Sequence, residues 1–361
     1  MISPSRPTRA FLSKSALLQN LGLLRRQAKR PVMAVVKAEA YGHGAALVAP
    51  LLQKAGVKLF AVATLDEALA LREAGIRGEI LVFGAVEGSQ LAKAAKARVG
   101  LTAWSRGMLQ AMGRHRLAVH LKVDTGMARL GFMPSEIPGV LADFEAGRFG
   151  KAVLSSAYTH LACADEPRDR VSAGQLAAFR ALPWPSGLPL HAANSAGALR
   201  YEAARFDLVR SGIFLYGALD PVHPLAAKSR PVLSLATRLL RVSALKKGQG
   251  VSYGHTFKAK GAMKLATLAA GYADGVPRLL SNRGSVLIGG KRCRILGRVC
   301  MDLCMADVSA VKNVKPWDEA VLIGSQGRER VTANEWAALC GSNSYEILCG
   351  ISFRVPRELA A

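Results

Sequence analysis

The stretch PVMAVVKAEAYGHGAALVAPLLQKAG, residues 31–56, moves from an apolar, β-branched run through a glycine-flanked turn into an amphipathic segment that stops at Gly56. PVMAVVKA (31–38) shows no alternating polar face, so it reads as a strand covered on both sides. AALVAPLLQKAG then reads as a helix closed by glycine. A buried strand followed by a helix is the repeating unit of a parallel sheet. Lys37 stands where that strand ends, with Tyr41, Gly42 and Gly44 in a pliant loop behind it.

The same rhythm continues through LFAVAT (59–64), EILVFGA (79–85), VGLTAW (99–104), LAVHLKVDTG (117–126), VLSSAYTHLACA (153–164), LPLHAAN (188–194) and FDLVRSG (206–212). Between most of them lie helical patterns such as LDEALALREAG, GVLADFEAG and SAGQLAAFRAL. Eight such runs favour a closed (β/α)8 barrel of the TIM type over an open sheet. No run is followed by G-x-G-x-x-G or a Walker loop, the usual nucleotide signals of an open sheet. After LDPVHPLAAKSRP (219–231) the runs become short, alternating and split by Gly and Asn, as in an antiparallel all-β domain. A helix (TANEWAALCG) and a last strand (CGISFRVPREL) are expected to close the chain. The expected division is an N-terminal strand at 1–8 joining the β domain, the barrel at 9–228, and the β domain at 229–361.

Half of the 361 residues are hydrophobic and 20% are charged, ample for a large core. No apolar run reaches the length of a membrane span, and the first 20 residues lack the apolar centre of a signal peptide, so a cytoplasmic protein is expected. The six cysteines form no C-x-x-C pair and read as buried thiols. The seven histidines show no zinc spacing, so no metal is expected. The net charge of +24 is scattered, with 6% aromatics and no basic tail, which reads as a solvated basic surface rather than a nucleic-acid face.

In a (β/α)8 barrel, chemistry gathers where strands run into the loops after them. Those ends carry Lys37, then Lys122, Asp124 and Arg129, then His160 and Asp165, then Asn194 and Ser195, and finally Arg210 to Ile213. A lysine at the end of an apolar strand is desolvated, which lowers its pKa and frees its amine to condense with a carbonyl. A helix start at Asn194–Ser195 and the Gly212 backbone suit an anion, at the loops where this fold usually holds phosphate. A group offering an aldehyde to the lysine and a phosphate to that turn is pyridoxal 5'-phosphate.

These residues resemble the pyridoxal-phosphate-dependent alanine racemase family, a fold-type III architecture. VVKAEAYGHG (35–44) is similar to the family's VVKANAYGHG, and KVDTGMARLGF, THLACADE, HAANSAG and VRSGIFLYG follow in the family's order. VSYGHTF, GYADGVPR, GRVCMDLCMADV and RVPR continue the match through the second domain. The resemblance implies a homodimer with shared active sites, in which Lys37 holds the cofactor and Tyr253 from the partner subunit is the second acid/base group. It makes Arg210 the partner of the pyridine nitrogen, with His160 packed near the cofactor. Tyr41, Asn194, Ser195, Gly212, Ile213 and Phe353 become cofactor contacts. Arg129 and the Met301 backbone N–H become carboxylate donors, with Asp302 supporting them. Lys122 matches a lysine that is carbamylated in several members. Cys163, Asp165, Tyr272, Arg278 and Arg298 match the entryway.

The chain also departs from the pattern. Glu39 stands where Asn or Asp is commoner, Val276 replaces a frequent aromatic, and Phe353 replaces a tyrosine that touches the phosphate in many members. The small Cys163 at the inferred gate leaves room for a serine racemase as an alternative. A decarboxylase of the same architecture would place a glutamate where Arg210 stands. The role implied is L- and D-alanine interconversion, for peptidoglycan synthesis or D-alanine breakdown.

Overall fold

The computed structural model describes residues 6–221 and 223–360. The chain divides into two compact units, residues 18–229 and residues 1–17 with 230–361.

The first strand, β1 (Arg9–Leu12), belongs to the second of these units. The first unit is built on β2 (Val32–Val35), β3 (Leu59–Val62), β4 (Glu79–Val82), β5 (Gly100–Ala103), β6 (Ala118–Lys122), β7 (Val153–Tyr158), β8 (Leu190–His191) and β9 (Val209–Ser211). Each of the eight apolar runs supplies one strand, and all pair in parallel in the order β8-β7-β6-β5-β4-β3-β2-β9. The ends meet through backbone bonds: Arg210 N–H donates to Ala193 O (3.0 Å) and Asp207 N–H to Leu190 O (3.1 Å). The result is a nearly closed eight-stranded barrel. Strands β2 and β5 are buried at every position, as a sheet covered by helices requires.

The helices start where the sequence provides caps. Thr64 and Glu67 form a reciprocal capping box on the helix Leu65–Glu73. Asn194 accepts from the Gly197 N–H at the start of Ser195–Arg200.

The second unit is mostly antiparallel. Its spine is β10 (Leu233–Leu245), continued by β11 (Gly250–Val251), β12 (Phe257–Lys258), β13 (Met263–Leu268), β14 (Ser285–Ile288), β15 (Lys291–Arg294), β16 (Cys304–Asp307), β17 (Glu319–Gln326), β18 (Glu329–Val331) and β19 (Arg357–Leu359). A register shift between Leu239 and Arg241 lets β10 pair with β17 along its first half and with β13 along its second.

Two sequence expectations shift here. Of the strand expected at 1–8, residues 1–5 lie outside the described residues; the strand present is β1 (Arg9–Leu12), antiparallel to β10 and parallel to β19. Its alternating burial, with Ala10 and Leu12 inward, places it on that sheet, so the chain crosses to the barrel unit after Leu17. The expected closing strand from Cys349 is mostly absent. Asn343 caps a second helix, Ser344–Cys349, and only Arg357–Leu359 extends after Pro356, which has no N–H to pair.

Candidate active site

Lys37 follows β2 after a single intervening residue, Val36, and the loop behind it is not pliant. Ala38, Glu39, Ala40 and Tyr41 all take φ between 50 and 55°, a turn of left-handed helix in non-glycine residues. Such a turn costs roughly 1–2 kcal/mol per residue, about 4–8 kcal/mol in all. Carboxylates repay part of it. Glu67 Oε1 accepts from the Ala38 N–H (2.6 Å) and Oε2 from Ala63 (2.7 Å), while Glu39 Oε2 accepts from Ala45 (2.9 Å). The unusual Glu39 therefore ties the turn to the helix that follows it. Tyr216 donates to Val35 O (3.0 Å) and stacks on His43, whose Nδ1 contacts Tyr41 O (2.9 Å). The strain fixes one orientation for Tyr41, whose hydroxyl lies 2.6 Å from where a Cβ would stand at Gly212. Only glycine fits there.

Beside Gly212, Ser195 Oγ accepts from the Gly212 and Phe214 N–H groups (3.2 and 3.4 Å) and contacts Ser211 Oγ. Ile213 is buried. The Asn194 side chain turns into its helix as a cap.

Arg210, 3% exposed, is the centre of the barrel's polar interior. It donates to Thr159 O (2.8 Å) and Ala192 O (3.0 Å), and faces Nδ1 of both His191 (2.7 Å) and His160 (3.3 Å). A guanidinium can only donate, so both histidines present a lone pair at Nδ1 and carry their proton on Nε2. Burial, then Arg210, Arg129, Lys122 and Lys37, hold His160 well below its ordinary pKa. Burial and Arg210 do the same for His191. Burial pulls Arg210 itself down to about 10, which leaves it charged at neutral pH. Tyr158 lies under both groups, stacked on His191 at 4.9 Å with Arg210 over its ring at 5.1 Å. Its hydroxyl, pushed up to about 12 by burial, pairs with Thr102.

Lys122 is buried, and its pKa falls to about 8 through burial, then Arg129 and Arg210, with Asp124 opposing. Asp124 accepts from the N–H groups of Gly126, Met127, Ala128 and Arg129, which outweigh burial and hold its carboxyl low while shaping the exposed Arg129 loop. Half-buried Cys163 lines a hollow of about 420 Å³ with Glu166 to Val171; Asp165 is exposed.

In the second unit Tyr253 is 71% exposed and follows Ser252, whose φ is 62°. Ser252 Oγ–H donates to Arg298 O (2.6 Å). Met301, Tyr272 and Phe353 are exposed, as is Arg278. Arg354 grips Asp302 (2.7 Å) and the buried Asp274 (2.8 Å), and Arg6 also binds Asp274. Tyr272 and Ala273 N–H groups hold the Cys300 and Met301 carbonyls. Asp302 thus steadies the loop that presents Met301.

Sequence reasoning missed His191, Tyr158, Ser156, His120 and Glu67. His191 stood in LPLHAAN at a strand end, the signal that picked out its neighbours. Glu67 was legible only as a helix cap.

Buried histidines held neutral make the barrel acid-sensitive. His120 is lowered to about 4 by burial, and His160 and His191 are also lowered. The unfolded chain takes up these protons near pH 6.5 and the folded chain does not, so this stability is complete above about pH 6.5 and lost as pH falls towards 4. His120 alone accounts for about 3 kcal/mol. Denaturant unfolding across that window should show the decline, and His120→Asn should flatten it; a pH-independent free energy would refute the account.

A nearly closed parallel barrel with a lysine, an arginine and neutral histidines at its strand ends, joined to a β domain presenting a tyrosine, defines a class of barrel enzyme. The alanine racemase N-terminal domain family matches residues 12–220 and the C-terminal domain family residues 232–359. The chain belongs to the alanine racemase family. The alanine racemase of Symbiobacterium thermophilum is 43% identical, covering 98% of this chain and 97% of its own length. That of Carboxydothermus hydrogenoformans is 41% identical, over 98% and 99%. The solved alanine racemase of Streptomyces coelicolor superposes with a TM-score of 0.91 at 36% identity, covering 98% of each chain.

Proposed function

We propose that the protein interconverts L- and D-alanine with pyridoxal 5'-phosphate, in the cytoplasm, as a homodimer whose partner subunit supplies the tyrosine. The observation that carries this reading is Arg210, buried, charged and ringed by acceptors and neutral imidazoles. The residues present fit the cofactor. Tyr41 Oη, Ser195 and the Cβ-less Gly212 form a small polar cradle, and the surrounding charges on Lys37, Arg129 and Arg210 are cationic, as a phosphate and a phenolate require.

When bound, the cofactor supplies an aldehyde for Lys37 and a conjugated ring that stabilises negative charge at the substrate's α-carbon. Lys37 Nζ then exchanges the proton of the D-enantiomer and Tyr253 Oη that of the L-enantiomer, since inversion needs a group on each face. Arg210 would face the ring nitrogen as a donor that keeps its proton, which would limit charge withdrawal and favour quick proton return over side reactions. His160 carries its proton on Nε2, free to donate to a phenol. Arg129 and the Met301 N–H orient the carboxylate, which keeps the α-proton between the two groups. Asp165, Tyr272, Arg278 and Arg298 guide a zwitterion inward with charges of both signs. Incubating the loaded protein with L- and D-alanine, then L-serine, in deuterated water tests the reading. Exchange with inversion for alanine supports it; carbon dioxide release, or no exchange, ends it.

Lys122 fits carbamylation. At about 8, a usable fraction of its amine is neutral at physiological pH and can attack carbon dioxide, releasing one proton and leaving an anion among Arg129, Arg210 and Lys37. A ¹³C carbamate resonance should appear after equilibration with labelled bicarbonate and vanish in Lys122→Ala; its absence in the unaltered protein rejects the modification.

A further inference from the structure

Behind Arg210 the barrel holds a second row of polar groups that substrate does not need to touch. Four consecutive strands each contribute one: His120 from β6, Ser156 from β7, His191 from β8 and Arg210 from β9. His120 and Ser156 are register partners, and all four side chains are buried. Arg210 Nη1 lies 2.7 Å from His191 Nδ1, His191 Nε2 3.2 Å from Ser156 Oγ, and Ser156 Oγ 2.6 Å from His120 Nδ1.

These contacts admit one proton order. Arg210 can only donate, so His191 accepts at Nδ1 and, being neutral, donates from Nε2 to Ser156 Oγ. The serine hydrogen is then free to turn to His120 Nδ1, which leaves the His120 proton on Nε2. That nitrogen lies flat against β5, where a Cβ on Gly100 would come within 2.4 Å, so the ring cannot swing to offer its other edge. Reversing the His191–Ser156 link would set an N–H of His191 against an N–H of Arg210, and reversing the Ser156–His120 link would leave the serine hydrogen without an acceptor among these four groups.

We propose that Ser156 and His120 are positioning residues, which fix the tautomer of His191 and so hold the Arg210 guanidinium in one orientation. The inference rests on the reading of Arg210 as the partner of the cofactor's ring nitrogen. Buried polar chains of this kind act as units, because each partner's direction is set by the next.

The test uses the cofactor-loaded protein labelled with ¹⁵N-histidine. The ¹⁵N resonances of His191 and His120 should each report a neutral ring protonated on Nε2. Ser156→Ala should mix the His191 tautomers and lower kcat about three- to tenfold with KM unchanged, the loss of one hydrogen bond's worth of orientation. His120→Asn, which keeps an acceptor near the Nδ1 position, should retain both the tautomer and kcat, whereas His120→Leu should behave like Ser156→Ala. A His191 that is charged or protonated on Nδ1 overturns the proposal. So does a Ser156→Ala protein with an unaltered tautomer, or an altered tautomer and an unchanged kcat. Should Ser156→Ala fail to fold, the tautomers of the unaltered protein and the Asn/Leu contrast at His120 decide the matter. The ¹⁵N spectra need no substrate, so they stand or fall apart from whether alanine is racemised.

Discussion

Lys37→Ala is expected to reduce racemisation by at least about 10⁴-fold, because under the proposed mechanism the variant loses both its covalent hold on the cofactor and one of two proton-transfer groups. The cofactor's absorbance should shift from that of a lysine-bound chromophore to that of a free aldehyde. Folding is expected to survive. The left-handed turn after Lys37 is held by backbone bonds and by two carboxylates: Ala38 N–H to Glu67, Gly44 N–H to Glu39 O, and Ala45 N–H to the Glu39 side chain. A denaturation midpoint close to that of the unaltered protein, together with the lost activity, would separate chemistry from structure. Racemisation persisting within tenfold would remove Lys37 from its assigned part.

That turn also marks the limit of what the sequence discloses. The strand before Lys37 was legible because burial on both faces leaves a run with no polar positions. The same reasoning placed all eight barrel strands and, through their ends, Lys122, Arg129, His160, Ser195 and Arg210. The turn itself was not legible. Two glycines suggested pliancy, but the left-handed residues are Ala38, Glu39, Ala40 and Tyr41, whose conformation is imposed from outside by Glu67, one strand-and-helix unit later. Tertiary contacts that override local preference leave no local signature.

The buried polar chain was hidden for a related reason. His120 and Ser156 sit inside apolar strand runs, and nothing in VHLK or LSSAY says that their side chains meet across β6 and β7 at 2.6 Å. Strand register creates that contact, and register is a property of the closed sheet. His191 and Arg210 are 19 positions apart for the same cause. At the chain's end the error ran the other way: CGISFRVPREL (349–359) suggested one strand, while only Arg357–Leu359 extends, after Pro356, which has no N–H to pair.

Tyr253→Phe is the sharper test of a two-group mechanism. Ser252, at φ 62° and ψ −172°, occupies a region nearly reserved for glycine, at a cost of about 1–3 kcal/mol. The strain is held by its bond to Arg298 O, while Gly254, at φ 68°, lies against the Arg298 guanidinium. At Gly297 a Cβ would meet Val251 O at 2.5 Å, so the chain closes tightly beneath the same loop. Tyr253 is thereby presented stiffly and left 71% exposed, as the role proposed for it requires. Phenylalanine keeps the ring and removes only the hydroxyl, so the backbone that aims it should be unchanged. Racemisation should fall by roughly 10²–10⁴ in both directions, because the equilibrium between enantiomers ties their two kcat/KM values together. The asymmetry should appear in exchange instead. In deuterated water the variant should still exchange the α-proton of D-alanine with retention, through Lys37, while exchange from L-alanine is lost. The cofactor absorbance should match that of the unaltered protein. Exchange from L-alanine at the unaltered rate would mean that another group serves that face. Loss of exchange from both enantiomers would mean that the phenol and the amine do not act separately.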